Sequence, residues 1–64
     1  MPTLVSSTKS DDGIIVVWNE NGQIKDRLFT SQELSEMKID TADLLDRPML
    51  YKIEMELNKF VLKR

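Results

Sequence analysis

The fold is decided by residues 13–29, which read GIIVVWNENGQIKDRLF. The stretch begins with a β-branched run that ends in Trp18, a composition typical of a strand. Asn21-Gly22 follows, and Asn-Gly is the strongest short-range signal for a hairpin turn because both residues tolerate positive φ. The stretch therefore predicts a β-hairpin whose first strand is apolar on both faces. Such a strand is either covered on two sides or leaves one face for a partner.

Two registers are open to this hairpin. A three-residue turn with a bulge at Gly22 places Ile14, Val16 and Trp18 on one face of the hairpin. Ile24 and Leu28 then lie on the same face. A two-residue turn instead places Val16 and Trp18 opposite basic residues. We favour the bulged register because it gathers the apolar side chains on one face.

The segment before the hairpin has two interpretations. Residues 3–9 read TLVSSTK, a composition that suits either a third, edge strand or a frayed tail. With the strand, the sheet becomes a three-stranded meander. We therefore expect residues 1–64 to form one small domain in which residues 1–10 are an edge strand or a tail.

Two short helices are predicted after the hairpin. Thr30 as N-cap and Glu33 as the third helical residue form a capping box, so a helix begins directly after Thr30. Asp40 caps a second helical segment over residues 41–46. Pro48 cannot continue that segment but suits the first turn of a new helix.

Residues 49–64 fit two structures. Apolar and polar residues alternate from position 51 to position 58, which is the period of a strand. On a helical wheel, six apolar residues fall within an arc of roughly 120° that contains no polar residue before the terminal Arg64. These residues are Met49, Leu50, Ile53, Leu57, Phe60 and Val61. We favour a helix over a strand pair turning at Asn58-Lys59. The expected fold is α+β: an antiparallel β-hairpin or three-stranded meander, two short helices and a longer C-terminal helix.

The composition narrows the range of chemistry. The chain has 64 residues and neither cysteine nor histidine, so the usual catalytic dyads and zinc sites lack their residues. The spacing of Asp40, Asp43 and Asp46 does not fit a calcium loop. Both glycines fall at turns rather than in a phosphate-binding loop. We expect no enzyme activity, no cofactor and no metal site.

Charge and hydropathy indicate which classes of partner and which cellular compartment to expect. The net charge of −2, with acidic and basic residues interspersed, gives no broad attraction to nucleic acid or anionic lipid. No segment approaches the roughly 20 apolar residues that span a bilayer. The lack of cysteine fits a reducing compartment. We expect a cytoplasmic protein that does not bind membranes and for which nucleic acid is not the default partner.

Size and surface favour a binding role. A core this small rarely supplies more than roughly 3–5 kcal/mol, so association is a common supplement. On the predicted C-terminal helix, Tyr51, Met55 and Leu62 form a second apolar stripe, and Trp18 is of the type most enriched among interface hot spots. We expect a non-enzymatic interaction module, a subunit, adaptor or inhibitor. It would bind itself as a homo-oligomer, or a larger protein, through this stripe or an uncovered sheet face.

The alternative function is a nucleic-acid-associated regulator. Lys52, Lys59 and Lys63 form a basic stripe on the predicted helix, and Arg64 ends the chain. Glu56 interrupts the stripe, and cations near a helix C-terminus are favoured without any ligand. We therefore place this function second.

Overall fold

A computed structural model describes residues 2–64 of the chain, which form five strands, two short helices and a 3₁₀ turn. In chain order these are β1 (Leu4–Ser10), β2 (Gly13–Glu20), β3 (Gln23–Thr30), α1 (Ser31–Glu36), α2 (Thr41–Asp46), the 3₁₀ turn (Pro48–Leu50), β4 (Lys52–Glu56) and β5 (Lys59–Lys63). The first three strands form an antiparallel sheet in the order β1-β2-β3, and β4 pairs with β5. The segment predicted as an edge strand or a tail thus contributes β1.

The β2–β3 hairpin has the two-residue turn, so the predicted bulged register is wrong. Glu20 pairs with Gln23, and Trp18 with Lys25. Asn21 and Gly22 form the turn with φ angles of 53° and 87°, as an Asn-Gly turn of this type requires.

The two-residue register is tolerated because the basic side chains opposite the apolar residues stay partly exposed. The Arg27 guanidinium lies over the rings of Phe29 and Phe60, at 4.8 and 5.6 Å from their centroids. Lys25 extends to the Glu20 carboxylate, 3.0 Å away. Long basic side chains can cover apolar surface with their stems while the charged ends stay at the rim.

Both helices begin where their capping residues predict. The Thr30 hydroxyl accepts the backbone N–H of Glu33 at 3.1 Å, and the Glu33 carboxylate accepts the backbone N–H of Thr30 at 3.0 Å. The Asp40 carboxylate accepts the backbone N–H of Asp43 at 3.1 Å. Each helix has six residues and buries one leucine, Leu34 in α1 and Leu44 in α2.

The predicted long C-terminal helix is absent. Residues 49–64 contain the end of the 3₁₀ turn and the β4–β5 hairpin. The less favoured strand pair is therefore the one that forms, with its turn at Leu57 and Asn58 rather than at Asn58 and Lys59.

Contacts distant in sequence account for this outcome. The backbone N–H of Leu4 donates to the Tyr51 carbonyl at 3.0 Å, and that of Ile53 donates to the Pro2 carbonyl at 3.0 Å. In the hairpin, Ile53 lies opposite Leu62, and both side chains are buried. A helix over these residues would lose the backbone partners that the start of the chain supplies, so tertiary context overrides helix propensity.

The core lies between one face of the β1–β3 sheet and the layer formed by the helices and β4–β5. The Trp18 and Phe60 rings join the two layers, with centroids 5.5 Å apart. The buried apolar side chains are Leu4, Ile14, Val16, Trp18, Phe29, Leu34, Leu44, Tyr51, Ile53 and Leu62. They come from all parts of the described chain, so neither layer has an apolar interior without the other.

Candidate interaction surfaces

The β1–β3 sheet has a covered inner face and an uncovered outer face. Side chains alternate between the two faces along each strand, so Ile14, Val16 and Trp18 point into the core. Ile15 and Val17 therefore point outward, together with the residues paired with this side of β2. We define the outer face by its apolar members, which are Ile15, Val17, Ile24 and Leu28.

The outer face is apolar and nearly free of charge. Ile24 is 67% exposed, and Ile15 and Leu28 are each 37% exposed. The β1 residues paired with this side of β2 are Ser6, Thr8 and Ser10, and Asp26 is the one charged residue on this face of the three strands. Depletion of charge is what distinguishes the centre of a protein interface from ordinary surface.

The residues predicted for partner binding do not form a common surface. Tyr51 and Leu62 are buried in the core, as is Trp18, whose indole N–H donates to the Glu20 carboxylate at 3.1 Å. Met55 is exposed by 58%. Their role in partner binding stays a prediction, but the helical stripe that was to present them does not exist.

Three of the four predicted basic residues, Lys52, Lys59 and Lys63, lie on the outward face of the β4–β5 hairpin. The fourth, Arg64, lies beside the Asp43 carboxylate. Lys52 is opposite Lys63, and Lys59 is opposite Glu56. Lys63 bridges two glutamates, with its ammonium 3.2 Å from Glu54, and the hydrogen bonds to Glu56 and then Glu54 raise the pKa of Lys63. The face therefore carries a mixed pattern of charge rather than a continuous basic stripe.

Among the acidic side chains of residues 2–64, Asp43 has the largest number of hydrogen-bond and ion-pair partners. Its carboxylate accepts the Tyr51 hydroxyl at 2.6 Å and the Arg47 guanidinium at 2.8 Å, and the Arg64 guanidinium is 3.3 Å away. The hydrogen bond from Tyr51 and then that from Arg47 lower the pKa of Asp43. Burial and then the bond to Asp43 raise the pKa of Tyr51. This network ties α2 to the residue before β4, so its role is structural.

The sequence indicates that one face of the sheet is left over, but not which residues of β3 belong to that face. A strand that is apolar on both sides indicated that one face of β2 is left over, and this is the case at Ile15 and Val17. Ile24 and Leu28 were assigned to the other face because the bulged register was preferred. A shift of one residue in pairing moves every side chain of a strand to the opposite face.

Two findings on the structure and three comparisons with known proteins bear on function. Within residues 2–64, no group of three or more acidic side chains is placed to hold a metal ion. None of the helices in the described part of the chain is long and apolar enough to cross a membrane. Searches with protein-family models, among curated proteins and among solved structures gave no match. Function must therefore be argued from the geometry of the surfaces.

Proposed function

We propose that the protein is a non-enzymatic protein-interaction module that associates with a second copy of itself through the outer face of its three-stranded sheet. The observation that carries this proposal is the exposure of Ile15, Ile24 and Leu28 on one nearly uncharged face. The inner face is already covered by the helices and β4–β5, so the outer face is the face of this sheet that is left to a partner.

Charge favours a symmetric arrangement of the two copies. If a two-fold axis runs along β2 between two stacked sheets, each β3 faces β1 of the other copy. Asp26 then lies opposite the hydroxyls of Ser6 and Thr8 rather than opposite another Asp26. Ile15 and Val17, on the central strand, meet their counterparts near the axis. The one charged residue therefore has hydrogen-bond donors to face, and the centre of the contact is apolar.

The area of the outer face sets the expected strength of dimerisation. Three strands of about eight residues cover roughly 14 by 26 Å, at ~4.8 Å between strands and ~3.3 Å per residue. A standard interface buries about 800 Å² per partner. At roughly 360 Å² the outer face is less than half of that size, so we expect a weak, reversible dimer with a dissociation constant in the high micromolar range.

Analytical ultracentrifugation tests the proposal. The wild-type protein should shift from monomer to dimer between low micromolar and millimolar concentration. Ile15→Thr with Leu28→Thr keeps good strand formers but removes apolar area, and should remain monomeric throughout. Met55→Thr is the matched control, since it makes the same kind of change outside the outer face and should dimerise like the wild type. A wild-type monomer at millimolar concentration would refute the proposal.

A further inference from the structure

The outer edge of β3 carries backbone groups without partners. In an antiparallel pair, hydrogen-bonded and non-hydrogen-bonded residue pairs alternate. The Ser31 N–H donates to the Asp12 carbonyl at 3.2 Å, which fixes that alternation for the whole ladder. Lys25 and Arg27 consequently bond to β2, whereas the N–H and C=O groups of Ile24, Asp26 and Leu28 point away from the sheet.

This edge is open along its length. Within residues 2–64, none of the hydrogen bonds outside the regular strand ladders involves the backbone of Ile24, Asp26 or Leu28. The pairing of β3 with β2 has no bulge, and β3 contains no proline. The opposite edge differs, because the start of β1 is bonded to the segment around Tyr51. An edge with free backbone groups over this length is a template for a further strand, and its charged side chains select which strand can pair.

A second copy of the chain does not fit this edge. Two-fold antiparallel pairing of β3 with itself must match outward-pointing residues with one another. Centring the pairing on Lys25 or on Arg27 places that cation opposite its own copy. Centring it on Asp26 places Lys25 opposite Arg27 and Asp26 opposite Asp26. Like charges directly across a ladder are destabilising, which opposes self-pairing in these three registers. Centring the pairing on Leu28 runs it into Thr30, whose N–H is already bonded to Glu33, and into α1, and centring it on Ile24 runs it into the turn.

We infer that the β3 edge binds an extended segment of a different protein as a fourth, antiparallel strand. The segment carries acidic side chains opposite Lys25 and Arg27, and apolar side chains opposite Ile24 and Leu28. Main-chain hydrogen bonds to Ile24, Asp26 and Leu28 give affinity, and the alternating side chains give specificity. This surface is separate from the proposed dimer contact, because stacking of two outer faces leaves the sheet edges free.

The intramolecular partners of the two cations are compatible with this binding. Lys25 pairs with Glu20 and Arg27 with Glu33, each at 3.0 Å and with both side chains of each pair partly exposed to solvent. Exposed pairs of this kind contribute little to stability. Each cation has further donor N–H groups, so it can bind an incoming carboxylate without giving up its present partner.

Synthetic peptides provide the first test. A fluorescently labelled, end-capped peptide with the core Val-Glu-Thr-Glu-Val matches the edge, and we expect saturable binding by anisotropy with a micromolar dissociation constant. A peptide with the core Val-Lys-Thr-Lys-Val should bind at least tenfold more weakly. N-methylation of the threonine nitrogen, which faces Asp26, should also weaken binding at least tenfold. Equal binding of any of these peptides, or no binding at millimolar protein, would overturn the inference.

Protein variants provide the second test. Asp26→Pro removes one outward N–H but none of the bonds to β2, and proline is tolerated on an edge strand. It should abolish binding of the acidic peptide, whereas Asp26→Ala, the matched control, should bind within twofold of wild type. Should Asp26→Pro fail to fold, Lys25→Glu serves instead and should reverse the preference between the two peptides. A peptide of residues 23–30 of this chain that bound as tightly as the acidic peptide would show self-pairing and contradict the inference.

Discussion

At the scale of single residues, the tip of the β4–β5 hairpin combines two unfavourable features. Leu57 has a left-handed backbone, with a φ of 50°, and its side chain is 94% exposed. A left-handed conformation costs a side chain other than glycine or asparagine about 1–2 kcal/mol. Because the leucine is not buried, no packing offsets that cost.

We therefore predict that Leu57→Asn raises the free energy of unfolding by about 1 kcal/mol, since asparagine tolerates this conformation. Urea denaturation measures the change. Leu57→Ala is the control: alanine has the same backbone strain as leucine, so its stability should stay close to that of wild type. Equal stabilities of the asparagine and alanine variants would show that strain is not the cause.

The burial of Tyr51 and its hydrogen bond to Asp43 make stability depend on pH at both ends of the scale. The pKa of Asp43 is lowered in the folded state, so its contribution is present above about pH 4 and is lost as the pH falls through the folded pKa. The pKa of Tyr51 is raised, so its contribution is present below about pH 10 and is lost as the pH rises through the folded pKa.

Thermal unfolding across the pH range should accordingly show a plateau with a decline on each side. Tyr51→Phe should abolish the decline above about pH 10 that arises from this group, and should make the acid decline shallower, because the largest cause of the lowered pKa of Asp43 is then gone. An alkaline decline in Tyr51→Phe as steep as that of wild type would exclude Tyr51 as its source.

At the scale of elements, the two glycines of the first sheet have different roles. A Cβ added at Gly13 would collide with the backbone carbonyl of Phe29, whereas one added at Gly22 would meet open space. At Gly22 only the positive φ of 87° opposes a side chain. We predict that Gly22→Ala costs about 1 kcal/mol of stability and that Gly13→Ala costs more than 2 kcal/mol. Chemical denaturation of the two variants side by side checks this order.

The same scale shows which elements the sequence could predict. The starts of α1 and α2 depend on the capping residues Thr30, Glu33 and Asp40, which act within one helical turn, so a local pattern was sufficient. The turn at Asn21-Gly22 was equally local. Elements of this kind are determined by residues that are close in sequence.

Register and the C-terminal hairpin could not be predicted in the same way. In the two-residue register Arg27 stacks over Phe60, which is distant in sequence and belongs to a segment predicted as helix, so a local pattern could not include this contact. The β4 strand depends on hydrogen bonds to residues 2 and 4. The outer face was missed for the same reason, because its membership follows from the register of β3.

At the scale of the whole molecule, the described residues present three kinds of surface. The outer face of the β1–β3 sheet is apolar, the outward face of β4–β5 carries mixed charge, and the edge of β3 offers backbone hydrogen bonds flanked by cations. In the proposals made above, the first surface joins two copies and the third binds a different protein. A dimer then displays two β3 edges on opposite sides, so a partner would be held by both at once only if its two acidic segments can span the dimer.

Self-association of this kind must also affect the thermal stability, because folded chains associate with one another and unfolded chains do not. Above the dissociation constant, each tenfold rise in protein concentration should raise the melting temperature by about 3–5 °C for a domain of this size. Calorimetry over a hundredfold range of concentration measures the effect. The Ile15→Thr, Leu28→Thr variant should have a melting temperature independent of concentration, and Met55→Thr should behave like the wild type. A wild-type melting temperature that stayed constant over the same range would mean that the exposed isoleucines and leucine of the outer face do not hold two copies together.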